Sequence, residues 1–297
     1  MVGLDGVVEQ GVGDGVGRDC LTEFWSQFKG KCTTGASYKV PYLRHDFGHT
    51  KWEAIARLIL YGWKKYGYFP IWLAPPIVEV AVCDNVLSSE AKVRDIFLDY
   101  ISDLEKDVLS KALVDFDSVD FEDIIDALSS YNCRKIPTKA NITSLIDEIA
   151  HKELIQEPMY VAKCFFPILN TLQGDLQKLE QIQTDLKPSA KKVLKLLQFP
   201  DVMTQPQATT AEYLKKYIKS LDQHLLALLL RFCTGSDLLI APYITIKFIE
   251  QSDFTRRPIA HTGTFALDLP FTYDNFPQFR IEFNSILSSG MWVMDIE

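Results

Sequence analysis

Apolar residues recur at helical spacing through the first two-thirds of the chain, which predicts a mainly helical region there. The clearest run covers residues 52–63, where apolar side chains repeat every three or four positions until Gly62 and Gly67 interrupt the pattern. A second run, over residues 93–108, predicts one long amphipathic helix.

Three further stretches carry the same spacing, and one of them contains a proline. Residues 20–28 and 142–154 each predict a single helix. The run over residues 161–179 contains Pro167, which lacks a backbone N–H and clashes with the preceding turn of a helix. We therefore expect two helices in this last stretch.

Residues 186–210 change the composition towards Pro, Gln, Thr and Lys. Exposed segments of this kind connect compact units, so we place a hinge here. Residues 209–212 then have the spacing of a capping box, which predicts the start of a helix that continues to Leu228 and stops at Gly235.

The pattern becomes alternating near the C-terminus. β-branched and aromatic residues alternate over residues 243–248, which predicts a strand. A helix is predicted over residues 276–287, with Pro277 in its first turn, and a closing strand over residues 291–294. The whole pattern predicts an α+β fold.

The length and composition indicate two folded units. The chain has 297 residues, of which 47% are hydrophobic and 24% charged, so it can bury one large core or two smaller ones. We expect a mainly helical unit at residues 1–200 and a smaller α/β unit at residues 201–297.

Charge and cysteine usage narrow the classes of function. A net charge of −8 opposes binding to nucleic acid, and the six cysteines form neither a CxxC pair nor a disulfide framework. The longest apolar stretch, residues 225–230, is far shorter than the ~20 residues that cross a bilayer. The start carries no pattern of a secretory signal. We expect a soluble protein of the cytosol or nucleus, without a membrane partner.

The glycine-rich segment at residues 11–18 is interpreted as a loop or a shortened start with no packing surface. It lacks the lysine and the preceding strand of a phosphate-binding loop. His45 and His49 have the i, i+4 spacing of a zinc helix, which leaves a zinc hydrolase as a minor alternative, although no third ligand is evident. Residues 115–120 lack the glycine of a calcium loop and are interpreted as an acidic helix start.

One segment stands apart, at residues 257–270. It reads Pro-x-Ala-His-Thr-Gly and continues into Leu-x-Leu-Pro, and it resembles the active-site signature of HECT ubiquitin ligases, in which a cysteine follows the Thr. Residues 231–236, with Phe-x-Thr-Gly-Ser, resemble a second motif of that family. Residues 13–19 and 52–73 are similar to its N-terminal part, and its usual opening is shortened or missing.

The resemblance implies a bilobed fold, in which a large, mainly helical N-lobe docks a ubiquitin-conjugating enzyme and a small α/β C-lobe carries the thioester cysteine. It implies ubiquitin, such an enzyme and an unknown protein target as partners, and no cofactor or metal. Gly263 stands at the position of the catalytic cysteine, with His261 and Thr262 before it. Glycine offers no atom for a thioester, so we expect a scaffold that is inactive in transfer.

An active ligase that uses another route is the alternative hypothesis. Thr262 and Thr264 flank the position and His261 could act as a base, but an unactivated hydroxyl is a weak nucleophile. Cys233 is expected to be a buried core thiol. The family also uses an apolar residue close to its C-terminus in transfer, a binding role that Met294, or Trp292, could take here.

Overall fold

The computed structural model describes residues 13–252 and 256–289 and has a mixed α+β fold, as predicted. The described chain divides into two compact units. The helical unit contains residues 27–65 and 69–183, and the C-terminal unit contains residues 13–26, 66–68 and those from Thr184 onward. The C-terminal unit thus starts at Thr184, before the boundary predicted after residue 200. The assignment of the two units as lobes stays a prediction. Met294, Trp292 and the strand predicted at residues 291–294 lie outside the described residues.

Helices dominate the first part of the chain. The first, α1, spans Asp14–Lys31 and is followed by a small antiparallel pair, β1 (Thr33–Thr34) and β2 (Val40–Pro41). The helices that follow are α2 (His49–Tyr66), α3 (Pro75–Cys83), α4 (Glu90–Tyr100), α5 (Asp103–Val114), α6 (Phe121–Ser129), α7 (Ile142–His151), α8 (Met159–Leu169) and α9 (Leu179–Leu186). A five-residue π-helix, Lys152–Gln156, lies between α7 and α8.

The prediction of one long helix over residues 93–108 is wrong, because α4 ends at Tyr100 and α5 begins at Asp103. Ser102 caps the second helix: its hydroxyl accepts from the Glu105 backbone N–H at 3.3 Å, and the Glu105 carboxylate accepts from the Ser102 N–H at 3.0 Å. These two hydrogen bonds satisfy backbone N–H groups that lack a partner at the start of a helix. The apolar spacing continues across the break, which is why the pattern concealed it.

Two other predicted interruptions are displaced. Gly62 lies inside α2, which continues to Tyr66 and is followed by Gly67 at a φ of 68°. Pro167 lies inside α8, and the helix ends two residues later, where a 3-10 turn starts at Asn170. The helix predicted at residues 52–63 is present, and the one predicted at 142–154 is α-helical to His151 and then π-helical. Of the two helices expected over residues 161–179, only α8 is found, because residues 170–172 and 175–178 form 3-10 turns and α9 begins at Leu179.

The C-terminal unit surrounds a four-stranded sheet. Its elements after α9 are α10 (Ala190–Leu196), β3 (Leu197–Gln198), α11 (Gln205–Ser220), α12 (Gln223–Thr234), β4 (Ile244–Ile249), β5 (Ile259–His261), β6 (Ala266–Pro270) and α13 (Phe276–Ser289). The strand order is β3-β4-β6-β5, with β5 antiparallel to β6 and the other neighbours parallel. The strand predicted at residues 243–248 and the helix predicted from Phe276 are confirmed.

Two predictions near the start of this unit need correction. Residues 186–210 are not a continuous irregular linker, because they contain α10, whose Val193 is fully buried, and β3; the hinge within them stays a prediction. The helix predicted to start at residue 209 starts at Gln205, after a Thr204 N–H that donates to the Gln207 side chain at 2.9 Å. It also does not continue to Leu228, because Asp222 caps a new helix, α12.

Aromatic packing holds α13 against the unit's core. The Phe283 ring is fully buried and lies 4.5 Å from the Phe279 ring and 5.4 Å from the Tyr217 ring, measured between centroids. No helix within residues 13–252 and 256–289 combines the length and apolarity that a bilayer crossing requires.

Replacing Phe283 with Ala should lower the free energy of unfolding by about 3–5 kcal/mol, because it removes a fully buried ring and leaves a cavity. Ile281→Ala, on the same helix but 65% exposed, is the matched control and should change it by less than about 0.5 kcal/mol. Urea unfolding measures both, and equal losses would contradict this packing.

Candidate functional site

Gly263 lies at the tip of a hairpin formed by β5 and β6. The turn closes through a bond from the Thr264 N–H to the His261 carbonyl at 3.2 Å. Phe265 adopts a left-handed φ of 54°, and its carbonyl accepts from the Thr245 N–H of β4 at 2.8 Å. The tip is therefore anchored to the sheet while Gly263 and Thr264 remain exposed.

The backbone at Gly263 leaves room for a Cβ. Its φ is outside the positive range that Gly13, Gly35, Gly67 and Gly235 adopt. A Cβ built on Gly263 meets no atom within 4 Å. The backbone therefore imposes no strain on a cysteine at this position, and its Cβ would displace no neighbouring atom.

His261 pairs with an acid on the neighbouring strand. Its Nε2 lies 3.0 Å from Oδ2 of Asp268, and both side chains are about one-fifth exposed, at 19% and 21%. The other carboxylate oxygen, Oδ1, is buried without a hydrogen-bond partner among the described residues. The carboxylate thus orients the imidazole, a partner that the sequence reasoning did not assign.

Thr262 is buried beside α1 and is only 3% exposed. A Cβ on Gly15 of α1 would overlap the Thr262 hydroxyl and lie 2.7 Å from the Gly263 backbone nitrogen. The helix backbone therefore approaches the hairpin tip closely, and Thr262 is not placed for attack on a large substrate.

Arg18 connects α1 to two of the motifs. Its Nε donates to the Thr234 carbonyl at 2.8 Å, and its Nη2 donates to the Thr262 carbonyl. The guanidinium lies over the Phe265 ring, 4.3 Å from the centroid. Arg18 is 6% exposed, and burial lowers its pKa from the ordinary value.

Further contacts join α1 to the turn after α12. The Thr22 hydroxyl donates to the Gly235 carbonyl at 3.1 Å, and Arg231 pairs with Asp19 at 2.7 Å and with Glu23 at 2.9 Å. Gly235 ends α12 at a φ of 75°, as predicted. The expectation that the segment ending at Arg18 is a loop without packing surface is wrong for Asp14–Arg18, which is helical and packed.

Three sequence motifs thus meet within one unit: residues 13–19, residues 231–236 and the hairpin. The sequence could have indicated this through Gly15, Arg18 and Thr22, which share one helical face. Its glycines obscured the helix, because glycine is a poor helix former.

Cys233 is a core thiol, as predicted. It is 2% exposed, and burial raises its pKa to about 12. All six cysteines are free, so no disulfide forms.

The zinc alternative finds no support in the histidine geometry. His45 precedes α2, whereas His49 is its first residue and lies 3.8 Å from Glu53. The described residues hold no group of three side chains suited to a metal ion. No protein-family model matches the chain, and no curated protein matches it significantly.

Gly15→Ala should destabilise the protein by about 1–3 kcal/mol, because the new methyl group would overlap Thr262 and Gly263. Gly30→Ala is the matched control on the same helix, where a Cβ meets nothing within 4 Å. The control should stabilise by about 0.5–1 kcal/mol, since glycine is a poorer helix former than alanine. Thermal unfolding compares them, and a stabilising Gly15→Ala would refute the close approach.

Cys233 should resist alkylation by iodoacetamide at pH 8, because its high pKa and burial suppress the thiolate. The exposed Cys20 is the internal control and should react first. Mass spectrometry of the two peptides measures the rates. In denaturant both cysteines should be alkylated at equal rates. If their rates are also equal in the native protein, Cys233 is accessible and this prediction is wrong.

Proposed function

We propose that the protein is a HECT-type ubiquitin-ligase homologue with two lobes, which binds a ubiquitin-conjugating enzyme, ubiquitin or a protein target but accepts no ubiquitin as a thioester. The observation that carries this proposal is the exposed hairpin tip at Gly263, whose backbone would accept a cysteine but which has no sulfur. The two compact units and the meeting of three motif segments in one of them support it.

Loss of transfer follows from the residues around the tip. A thioester needs a thiolate, and Cys233, the cysteine within residues 231–236, is buried with a raised pKa. Thr262 is also buried. Thr264 is exposed, but its hydroxyl is oriented towards the His261 carbonyl, at 3.5 Å, and the imidazole partner is Asp268. The arrangement supplies no activated hydroxyl for an alternative route.

A binding role remains chemically possible without the thiol. Docking of a conjugating enzyme uses surface complementarity and needs no nucleophile. Such a protein would occupy the conjugating enzyme or its target in the cytosol or nucleus without transferring ubiquitin. The His261–Asp268 pair would then serve the hairpin's structure.

Gly263→Cys should create a reductant-sensitive ubiquitin adduct when the purified chain is mixed with a ubiquitin-charged conjugating enzyme, because the new thiol is exposed and unobstructed. The native chain should give no such adduct. Electrophoresis of each mixture with and without reductant detects the adduct. A parallel measurement of binding between the chain and the conjugating enzyme detects docking.

Thr264→Cys is the matched control, since it places a thiol one residue further along the same exposed turn. It should accept less ubiquitin than Gly263→Cys. An adduct on the native chain would refute the loss of transfer. Failure of both variants to accept ubiquitin, together with no binding to any conjugating enzyme tested, would refute the proposed function as a whole.

A further inference from the structure

A large open cleft lies entirely within the helical unit. It has a volume of about 1150 Å³ and is bounded by the end of α3, the loop before α4, the turn after α6, and α7 with the following π-helix and the start of α8. Small-molecule sites usually occupy about 300–1000 Å³, so this cleft is large enough for a segment of polypeptide.

The floor of the cleft is apolar. Five buried aliphatic side chains form it, from four different elements: Val80, Val93, Leu145, Ile149 and Ile155. Two large apolar side chains stand exposed beside lining residues, Leu87 at 67% and Ile136 at 72%. A flexible apolar residue, Met159, also lines the cleft.

Unusual backbone conformations concentrate around this cleft. Asp84 and Asn132, with φ values of 60° and 59°, are two of the three non-glycine residues with positive φ in the described chain. The π-helix presents Lys152, Ile155 and Gln156 to the cleft. Left-handed non-glycine residues and π-helical turns carry an energetic cost and cluster at binding sites.

The loop before α4 is fixed in place. The Glu79 carboxylate accepts from the Leu87 N–H at 2.8 Å, from the Ser88 N–H at 2.9 Å and from the Ser88 hydroxyl at 2.6 Å. A wall that is ordered before binding lowers the conformational entropy lost when a ligand binds.

The charges that line the cleft are mostly neutralised by one another or by neighbours. The pairs are Lys163 with Asp84, Lys135 with Glu148, Arg94 with Asp147, and Lys152 with Glu153. Among the described residues, two lining charges have no ion-pair partner. Glu90 lies in the first turn of α4, where the helix dipole stabilises its carboxylate. Arg134 is exposed and is the lining cation without a hydrogen-bond or ion-pair partner within residues 13–252 and 256–289.

We propose that this cleft binds a short segment of a partner protein, whose apolar side chains cover the aliphatic floor and whose carboxylate pairs with Arg134. The apolar floor selects the side chains, and the free guanidinium selects an acidic residue or a C-terminus. This binding does not rest on the function proposed above.

The test selects short random peptides displayed on phage against the full chain. The best peptide is then synthesised with a fluorescein label and titrated by fluorescence polarisation. The selected sequences should share apolar residues and at least one Asp, Glu or free C-terminal carboxylate. A peptide in which that carboxylate is replaced by an amide should bind more weakly.

Ser144→Trp should weaken binding by about tenfold or more, because Ser144 is exposed, lines the cleft and would be replaced by a bulky ring. Ser129→Trp is the matched control on α6, outside the cleft. Both serines are exposed, and both hydroxyls donate to the carbonyl three residues earlier, at 2.9 Å. The control should leave the affinity unchanged, and circular dichroism verifies that both variants fold.

Arg134→Glu should weaken the acidic peptide but not its amide form, whereas Lys191→Glu, an equal change of net charge outside the cleft, should affect neither. This pair tests the proposal even if Ser144→Trp does not fold. The proposal is overturned if no peptide is enriched, or if neither Ser144→Trp nor Arg134→Glu changes the affinity for the peptide. It is also overturned if the chain forms a dimer that Ser144→Trp disrupts, which would assign the cleft to a second copy.

Discussion

The C-terminal unit depends on one buried cation. Arg18 donates to the carbonyls of Thr234 and Thr262, which lie 216 and 244 positions later in the chain, and it stacks on Phe265. Hydrogen bonds from charged donors contribute about 1.5–3 kcal/mol each, and a desolvated cation over a ring contributes about 2 kcal/mol. If the guanidinium were absent, two buried carbonyls would lose their donor. The hairpin tip and the end of α12 are therefore positioned by a side chain from the other end of the sequence.

The C-terminal unit is built from parts of the chain that are distant in sequence. The sheet, α11 to α13 and the hairpin are continuous in sequence after Thr184, but their packing is completed by residues 13–26 and 66–68. A fragment that starts at Thr184 would leave the Thr234 and Thr262 carbonyls and the Gly235 turn without Arg18 and Thr22. Contacts of such long sequence separation also tend to slow folding, because the chain must close a long loop before they form.

The sequence predicted those elements in which local and tertiary preferences agree. The strand at residues 243–248, the helix from Phe276, the stop at Gly235 and the buried thiol of Cys233 all follow from periodicity, glycine geometry or apolar character. It failed where a cap interrupts a continuous apolar face. Ser102 and Asp222 each begin a new helix in the middle of a periodic run, and the capping hydrogen bonds outweigh the pattern. The contacts of Arg18 with Thr262 and of Asp268 with His261 were not predicted, because they depend on how α1 packs on the hairpin and on the register of β5 and β6.

The open surroundings of Gly263 bear on which residues the fold tolerates at this position. A Cβ at this position would meet no atom within 4 Å, and the φ is not in the positive range that favours glycine. Exchanging glycine for cysteine there neither creates a cavity nor removes a packing contact, so the folded state tolerates either residue, and glycine differs mainly in leaving the unfolded chain more freedom. The conformation of the turn is set by the backbone hydrogen bonds of Thr264 and Phe265, so its shape is independent of the side chain carried at residue 263.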